Sequence, residues 1–133
     1  MPRIVGASHV SFSVSDLSAA VDWFHGVFGA EVMLNEPGND RSAAVLKLPS
    51  SDLLIGLTEF PDRADHGFDP HHSGLDHFAF SVATEASLEE WAVHLDSLSI
   101  EHSGPIPVPP GAILNFKGPD GIALALMWRR GQT

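Results

Sequence analysis

The chain has 133 residues, 44% hydrophobic and 18% charged, the composition of one ordinary globular domain that can bury a core unaided, and not of a disordered or fibrous protein. Its formal net charge of −10, from seven basic and seventeen acidic residues, repels a phosphate backbone and argues against nucleic acid as a partner. With no cysteine, a disulfide framework, a thiolate nucleophile and a Cys-ligated zinc site are excluded, and any metal would need nitrogen and oxygen ligands.

The first eight residues, Met-Pro-Arg-Ile-Val-Gly-Ala-Ser, lack the apolar core of a signal peptide. No run approaches the roughly 18 apolar residues of a membrane span. A cytoplasmic location and no membrane partner are therefore expected.

Alternation of period two predicts an opening strand over 8–14, and apolar residues at helical spacing predict a helix over 17–28. Ser15 or Asp16 is placed to cap that helix and Gly29 to end it. Three short strands follow near 30–35, 43–48 and 53–60, separated by the turn-rich Pro37 to Asp40 and Pro49 to Asp52. Pro61 to Ser73, without periodicity, reads as a linker that includes the solvated cluster His66, His71 and His72. The pattern then restarts, with a strand over 76–82, Thr84 as a cap, a helix over 86–98 and strands near 100–103, 112–117 and 121–128. Gly104 to Gly111, with four prolines, is expected to be a stiff rim loop, and Pro119-Asp120-Gly121 a hairpin turn.

This restart is a repeat. His9-Val-Ser-Phe-Ser-Val14 aligns with His77-Phe-Ala-Phe-Ser-Val82 at an offset of 68 residues, which also carries Trp23 onto Trp91 and Val27 onto Leu95. Strand parity puts the bulky Val10, Phe12, Val14, Phe78, Phe80 and Val82 on faces that the helices can cover. The opposite faces carry His9 and Ser11, His77 and Ala79, Gly56 and Thr58, and Ala125 and Met127. These eight residues are the expected ligand-binding set, with a mid-strand glycine marking close approach of another group.

A repeated strand-helix-strand-strand-strand unit opening with His, followed by a late Pro-Asp-Gly hairpin, resembles the vicinal oxygen chelate superfamily of glyoxalases, bleomycin-resistance proteins and extradiol dioxygenases. The quoted motifs span nearly the whole chain: His9 to Leu17, Ala20 to Phe24 and Phe28 to Val32 in one half, Gly74 to Val82 and Gly118 to Leu124 in the other. The resemblance implies an α+β fold of two βαβββ modules, about 7–60 and 74–128 with the linker 61–73 between them, forming a curved mixed sheet around a cavity in a single domain of residues 1–133. It also implies a homodimer.

Metal-using members of that superfamily place one ligand on the opening and one on the closing strand of each module. The opening positions here are His9 and His77, but the closing positions are Gly56 and Ala125, where carboxylates would stand. Glu59 and Asp76 have the wrong strand parity to replace them, and Asp120 belongs to a turn. Two imidazoles alone make a weak divalent site. The expectation is therefore a protein that binds a small, partly apolar molecule in the cavity between its modules, without the usual His/Glu metal site and without a cofactor. The alternative is a lyase, isomerase or dioxygenase holding a divalent metal through His9 and His77, with water and substrate as its other ligands.

Overall fold

The computed structural model describes residues 1–63 and 66–131. Ala64 and Asp65, inside the expected linker, lie outside the described residues. The chain divides between residues 65 and 66 into two compact units, each with one helix and one four-stranded sheet.

Unit one runs β1 (His9–Ser13), α1 (Leu17–Phe28), β2 (Glu31–Glu36), β3 (Ser42–Lys47) and β4 (Leu54–Glu59). Its sheet has the order β1-β4-β3-β2, with β1 and β4 parallel and the other pairs antiparallel. Unit two runs β5 (Phe78–Ser81), α2 (Glu85–Ser97), β6 (His102–Val108), β7 (Gly111–Lys117) and β8 (Ala123–Arg129), in the order β5-β8-β7-β6. Its strand directions match those of unit one element for element. The two βαβββ modules expected from the repeat are present, each with its own mixed sheet.

Local sequence explains where each helix begins. Asp16 in α1 and Thr84 in α2 have extended backbone, and their side chains accept from the amides of Ala19 and Ser87 at 3.0 and 3.1 Å, satisfying donors that the first turn leaves free. Gly29, at φ 69°, returns its N–H to His25 and stops α1, a left-handed position that glycine takes without strain.

Each helix then buries one stripe against its own sheet. Ala20, Phe24 and Val27 form the stripe of α1, and Leu88, Ala92 and Leu95 that of α2. The facing sheet residues in unit one are Phe12, Val14, Leu46, Ile55 and Leu57, with the Phe12 and Phe24 rings stacked at 6.1 Å. In unit two they include Phe80, Leu114, Leu124 and Leu126. Burying a side chain of this size contributes roughly 1.5–3 kcal/mol, so these stripes fix which face of each sheet is left for other work. Trp23 and Trp91, the equivalent tryptophans of the repeat, are only half-buried; Trp23 packs edge-on against Phe24 and Phe28.

One segment departs from expectation. The proline-rich stretch read as a rim loop is strand β6, with Pro105, Ile106 and Pro107 opposite Leu114, Ile113 and Ala112. Prolines two residues apart lack donors on the same side of a strand, and on an outermost strand that side has no neighbour. Prolines there also discourage further pairing along the open edge. The Pro119–Gly121 segment closes the β7–β8 hairpin as two overlapping turns, in which the Gly121 and Ile122 amides donate to the Gly118 and Pro119 carbonyls and Asp120 and Gly121 take left-handed φ of 60° and 76°.

Candidate functional site

The face of each sheet turned away from its helix carries the residues that the repeat singles out. In unit one the register sets His9 beside Leu54, Ser11 beside Gly56 and Ser13 beside Thr58. His9, Ser11, Gly56 and Thr58 line one cavity of about 250 Å³. The absence of a side chain at Gly56 is an opening that the Ser11 side chain uses: a Cβ there would meet Ser11 Oγ, which would have to turn away.

Two further residues of this cavity, Glu36 and Arg41, escape sequence reading. They form an ion pair at 3.9 Å across the turn that joins β2 to β3. Glu36 reaches the site face because the β2–β3 register shifts between Val32 and Leu34, placing Leu34 opposite Val45 and Glu36 opposite Ala43. A one-residue bulge reverses which side chains face the site, and no local signal announces it. The charges flanking Pro37 to Asp40 were the only available cue.

In unit two, Ala79 lies beside Ala125 and Ser81 beside Met127. Asn115 and Lys117 on β7 stand opposite Ala125 and Ala123 and so share that face. A cavity of about 790 Å³ is lined by His77, Asp76, Asn115, Lys117 and Ala123 among others. Ala79, Ala125 and Met127 belong to the same sheet face but lie outside that lining. Each cavity is described within its own unit: four of the eight expected residues line the first, His77 lines the second, and Ala79, Ala125 and Met127 line neither.

Both histidines are held through Nδ1 by the residue before them, and those partners occupy equivalent repeat positions. His9 Nδ1 lies 3.0 Å from Ser8 Oγ, and His77 Nδ1 2.6 Å from Asp76 Oδ2. An ionised carboxylate only accepts, so Asp76 fixes the proton of the neutral His77 ring on Nδ1 and leaves the Nε2 lone pair available. A hydroxyl donates or accepts and imposes no such choice on His9. Asp76, set aside for its strand parity, therefore acts on the site through His77.

His102, His71 and His72 have structural occupations. His102, with a side chain 13% exposed, donates from Nε2 to Asp96 at 2.7 Å and accepts at Nδ1 from the Gly104 N–H at 3.0 Å, tying α2 to β6. His71 and His72 gather around Asp69, whose carboxyl is held below its ordinary range by the backbone N–H of His71, then by the His71 ring and by the charge of His72. They belong to an exposed loop.

Among the described residues, no three His, Asp or Glu side chains gather closely enough to hold a metal. Each unit offers one imidazole at the start of its opening strand, His9 as the first residue of β1 and His77 directly before β5; Gly56 and Ala125 have no donor atom, and Asp76 is committed to His77. This donor set does not fit the divalent metal that the superfamily's metal-using members hold.

A paired βαβββ fold with its opening-strand histidines on small-residue sheet faces defines a class of compact α+β proteins. Comparison with known proteins places the chain within it: residues 6–126 match the model of the Glyoxalase/Bleomycin resistance protein/Dioxygenase superfamily, and the chain belongs to that superfamily. It is similar to a glyoxylase/bleomycin resistance protein/dioxygenase domain from Frankia sp. EAN1pec, with 31% identity over 96% of this chain and 100% of that one and a TM-score of 0.88. A glyoxalase family protein from Enterococcus faecalis shares the fold at 23% identity and a TM-score of 0.77, over 92% of this chain and 96% of that one. So does the fosfomycin resistance protein FosX from Listeria monocytogenes, at 20% identity and a TM-score of 0.70, over 95% and 94% of the two chains. A mutant of FosX has been crystallised with Mn(II) and 1S,2S-dihydroxypropylphosphonic acid.

Proposed function

We propose that the chain is a bleomycin-resistance-like binding protein that takes a small, partly apolar molecule against the sheet faces bearing His9 and His77, without the usual His/Glu metal site and without a cofactor. The observation that carries this reading is the pair of closing-strand residues. Gly56 beside Ser11 and Ala125 beside Ala79 supply space and apolar surface where a metal enzyme of this superfamily needs a donor. Ser11, Thr58, Ala79 and Met127 complete the contact surface, and the two histidines offer hydrogen bonds to a ligand oxygen.

The protein acts in this reading as a cytoplasmic homodimer. Support for self-association comes from β2, an outermost strand whose Val32, Met33 and Leu34 are 40%, 60% and 50% exposed.

A second reading, a lyase, isomerase or dioxygenase with a two-His divalent metal site, draws on one observation. The 2.6 Å Asp76–His77 hydrogen bond is the kind of support that orients metal-ligating histidines. Metal analysis of untagged protein with a ligand-library thermal shift separates the readings. Binding without metal predicts substoichiometric Fe, Mn, Ni and Zn and a raised melting temperature with hydrophobic natural products, about 2.7 kcal/mol of added stability at a hundredfold excess over Kd. Stoichiometric metal that disappears in both His9→Ala and His77→Ala would establish the enzyme reading instead. Neither metal nor any stabilising ligand would leave a protein interaction module.

A further inference from the structure

Rows of facing side chains run across each sheet, and one row differs between the units in a way that exposes a cation. In unit one the register joins Lys47 to Leu54 and Leu54 to His9. In unit two it joins Lys117 to Ala123, and the β5–β8 register continued one residue outward sets Ala123 beside His77. The rows His9–Leu54–Lys47 and His77–Ala123–Lys117 are counterparts whose middle residue changes from leucine to alanine.

Strands are about 4.8 Å apart, so the backbone positions at the ends of such a row are roughly 10 Å apart. Leucine fills that interval. Alanine leaves it open, and all three members of the second row line the 790 Å³ cavity. Asn115, two residues before Lys117 and therefore roughly 7 Å along the same face, lines it too.

The side chains of Lys117 and Asn115 have no hydrogen-bond or ion-pair partner among the described residues. Lys117 is an exposed lysine whose ammonium faces a cavity and is held by no carboxylate among the described residues, in a chain of net charge −10. Resting on the binding reading above, we propose that unit two recognises a small carboxylate or similar oxyanion. The ligand's charged oxygens meet the Lys117 ammonium and the Asn115 carboxamide N–H, and its flat apolar body lies over Ala123 toward His77.

The other charges of the cavity delimit this corner. Asp76 is hydrogen-bonded to His77 at the far end of the row. Glu101 lines the cavity one residue before His102, which faces Phe116; the β6–β7 register continued one residue outward sets it opposite Lys117, where it would compete with a ligand anion for the ammonium. His102 is held by Asp96 and Gly104 and takes no part.

The test uses 1-naphthoate and its neutral isostere 1-naphthamide as probes, with affinities and contacts read from NMR titrations of ¹⁵N-labelled full-length protein. Naphthoate is expected to bind at least tenfold more tightly than naphthamide, shifting the Asn115 side-chain amide and the Ala123 backbone. Lys117→Met should abolish that preference and Lys117→Arg keep it. Glu101→Gln should strengthen naphthoate binding severalfold, and Ala123→Leu, which copies the unit-one row, should block both probes without unfolding an already half-exposed position. Equal affinity for the two probes, or a preference that survives Lys117→Met, overturns the anion corner and leaves the binding reading standing. Failure of both probes to shift any residue of the sheet face also overturns the anion corner, while the binding reading stands or falls with the ligand-library thermal shift.

Discussion

The two units bury the same positions with different residues. The helix stripe Ala20, Phe24, Val27 recurs 68 residues later as Leu88, Ala92, Leu95, so the largest side chain moves by one turn while its neighbours shrink or grow to match. The opening strands do not change in this way, for Phe12 and Val14 recur as Phe80 and Val82. What the fold demands is therefore an apolar stripe of roughly constant total volume and a fixed parity on the sheet, not a particular residue at each site. On the opposite face the divergence has chemical consequences: Ser8 becomes Asp76 behind the histidine, and Leu54 becomes Ala123 beside it. The repeat preserves the frame, and the pocket floor is where the units part.

The core exchange can be broken by truncating counterparts. Phe24→Ala should lower the unfolding free energy by about 4 kcal/mol, whereas Ala92→Gly at the equivalent position should lower it by about 1 kcal/mol. One turn earlier the asymmetry reverses, with Leu88→Ala at about 3 kcal/mol against about 1 kcal/mol for Ala20→Gly. Urea denaturation of the four variants checks this. Similar losses at counterpart positions would show that the stripes do not compensate in volume as described.

Two glycines sharpen the contrast between frame and floor. A Cβ at Gly111 would collide with the Trp128 carbonyl, which is backbone of the neighbouring strand, so Gly111→Ala should cost about 2 kcal/mol. At Gly56 the obstacle is Ser11 Oγ, the end of a rotatable side chain. Gly56→Ala should cost less than about 1 kcal/mol, and combining it with Ser11→Ala should recover most of that loss. A non-additive recovery in the melting temperature would establish the contact; strict additivity would remove it.

The helices, the strand parity and the repeat that makes His9 and His77 equivalent positions were legible because each rests on sequence patterns: period two, period 3.6, a cap, a stop, an offset of 68 residues. Three features were not. Strand β6 was hidden by Pro105 and Pro107, which argue against a strand until its position at the sheet edge is known. Glu36 was hidden by a bulge, which changes side-chain parity without a composition signal. Lys117 drew no notice because its proposed role comes from Ala123 on the next strand and from the absence of an ion-pair partner among the described residues, both tertiary facts. In each case the missing information was which strand lies beside which.

The smallest expected effect concerns the loop before β5, which unit one lacks. Asp69 accepts from the His71 amide at 2.9 Å and from its ring at 2.8 Å, the Phe68 amide bonds to the Asp120 carbonyl at 3.0 Å, and Pro70 lines the unit-two cavity. Because these bonds favour the carboxylate, the folded Asp69 titrates below its ordinary value of 3.8. The stabilisation is thus fully present above the unfolded value and is lost as the pH falls through the lower, folded one. Between pH 5 and pH 2 the His71 amide should report a transition centred below 3.8, absent in Asp69→Asn, while unit-one amides away from carboxylates stay unmoved through it. A midpoint above 3.8, or a response shared by both units, would mean that acid acts on the fold as a whole and not on this strap beside the second cavity.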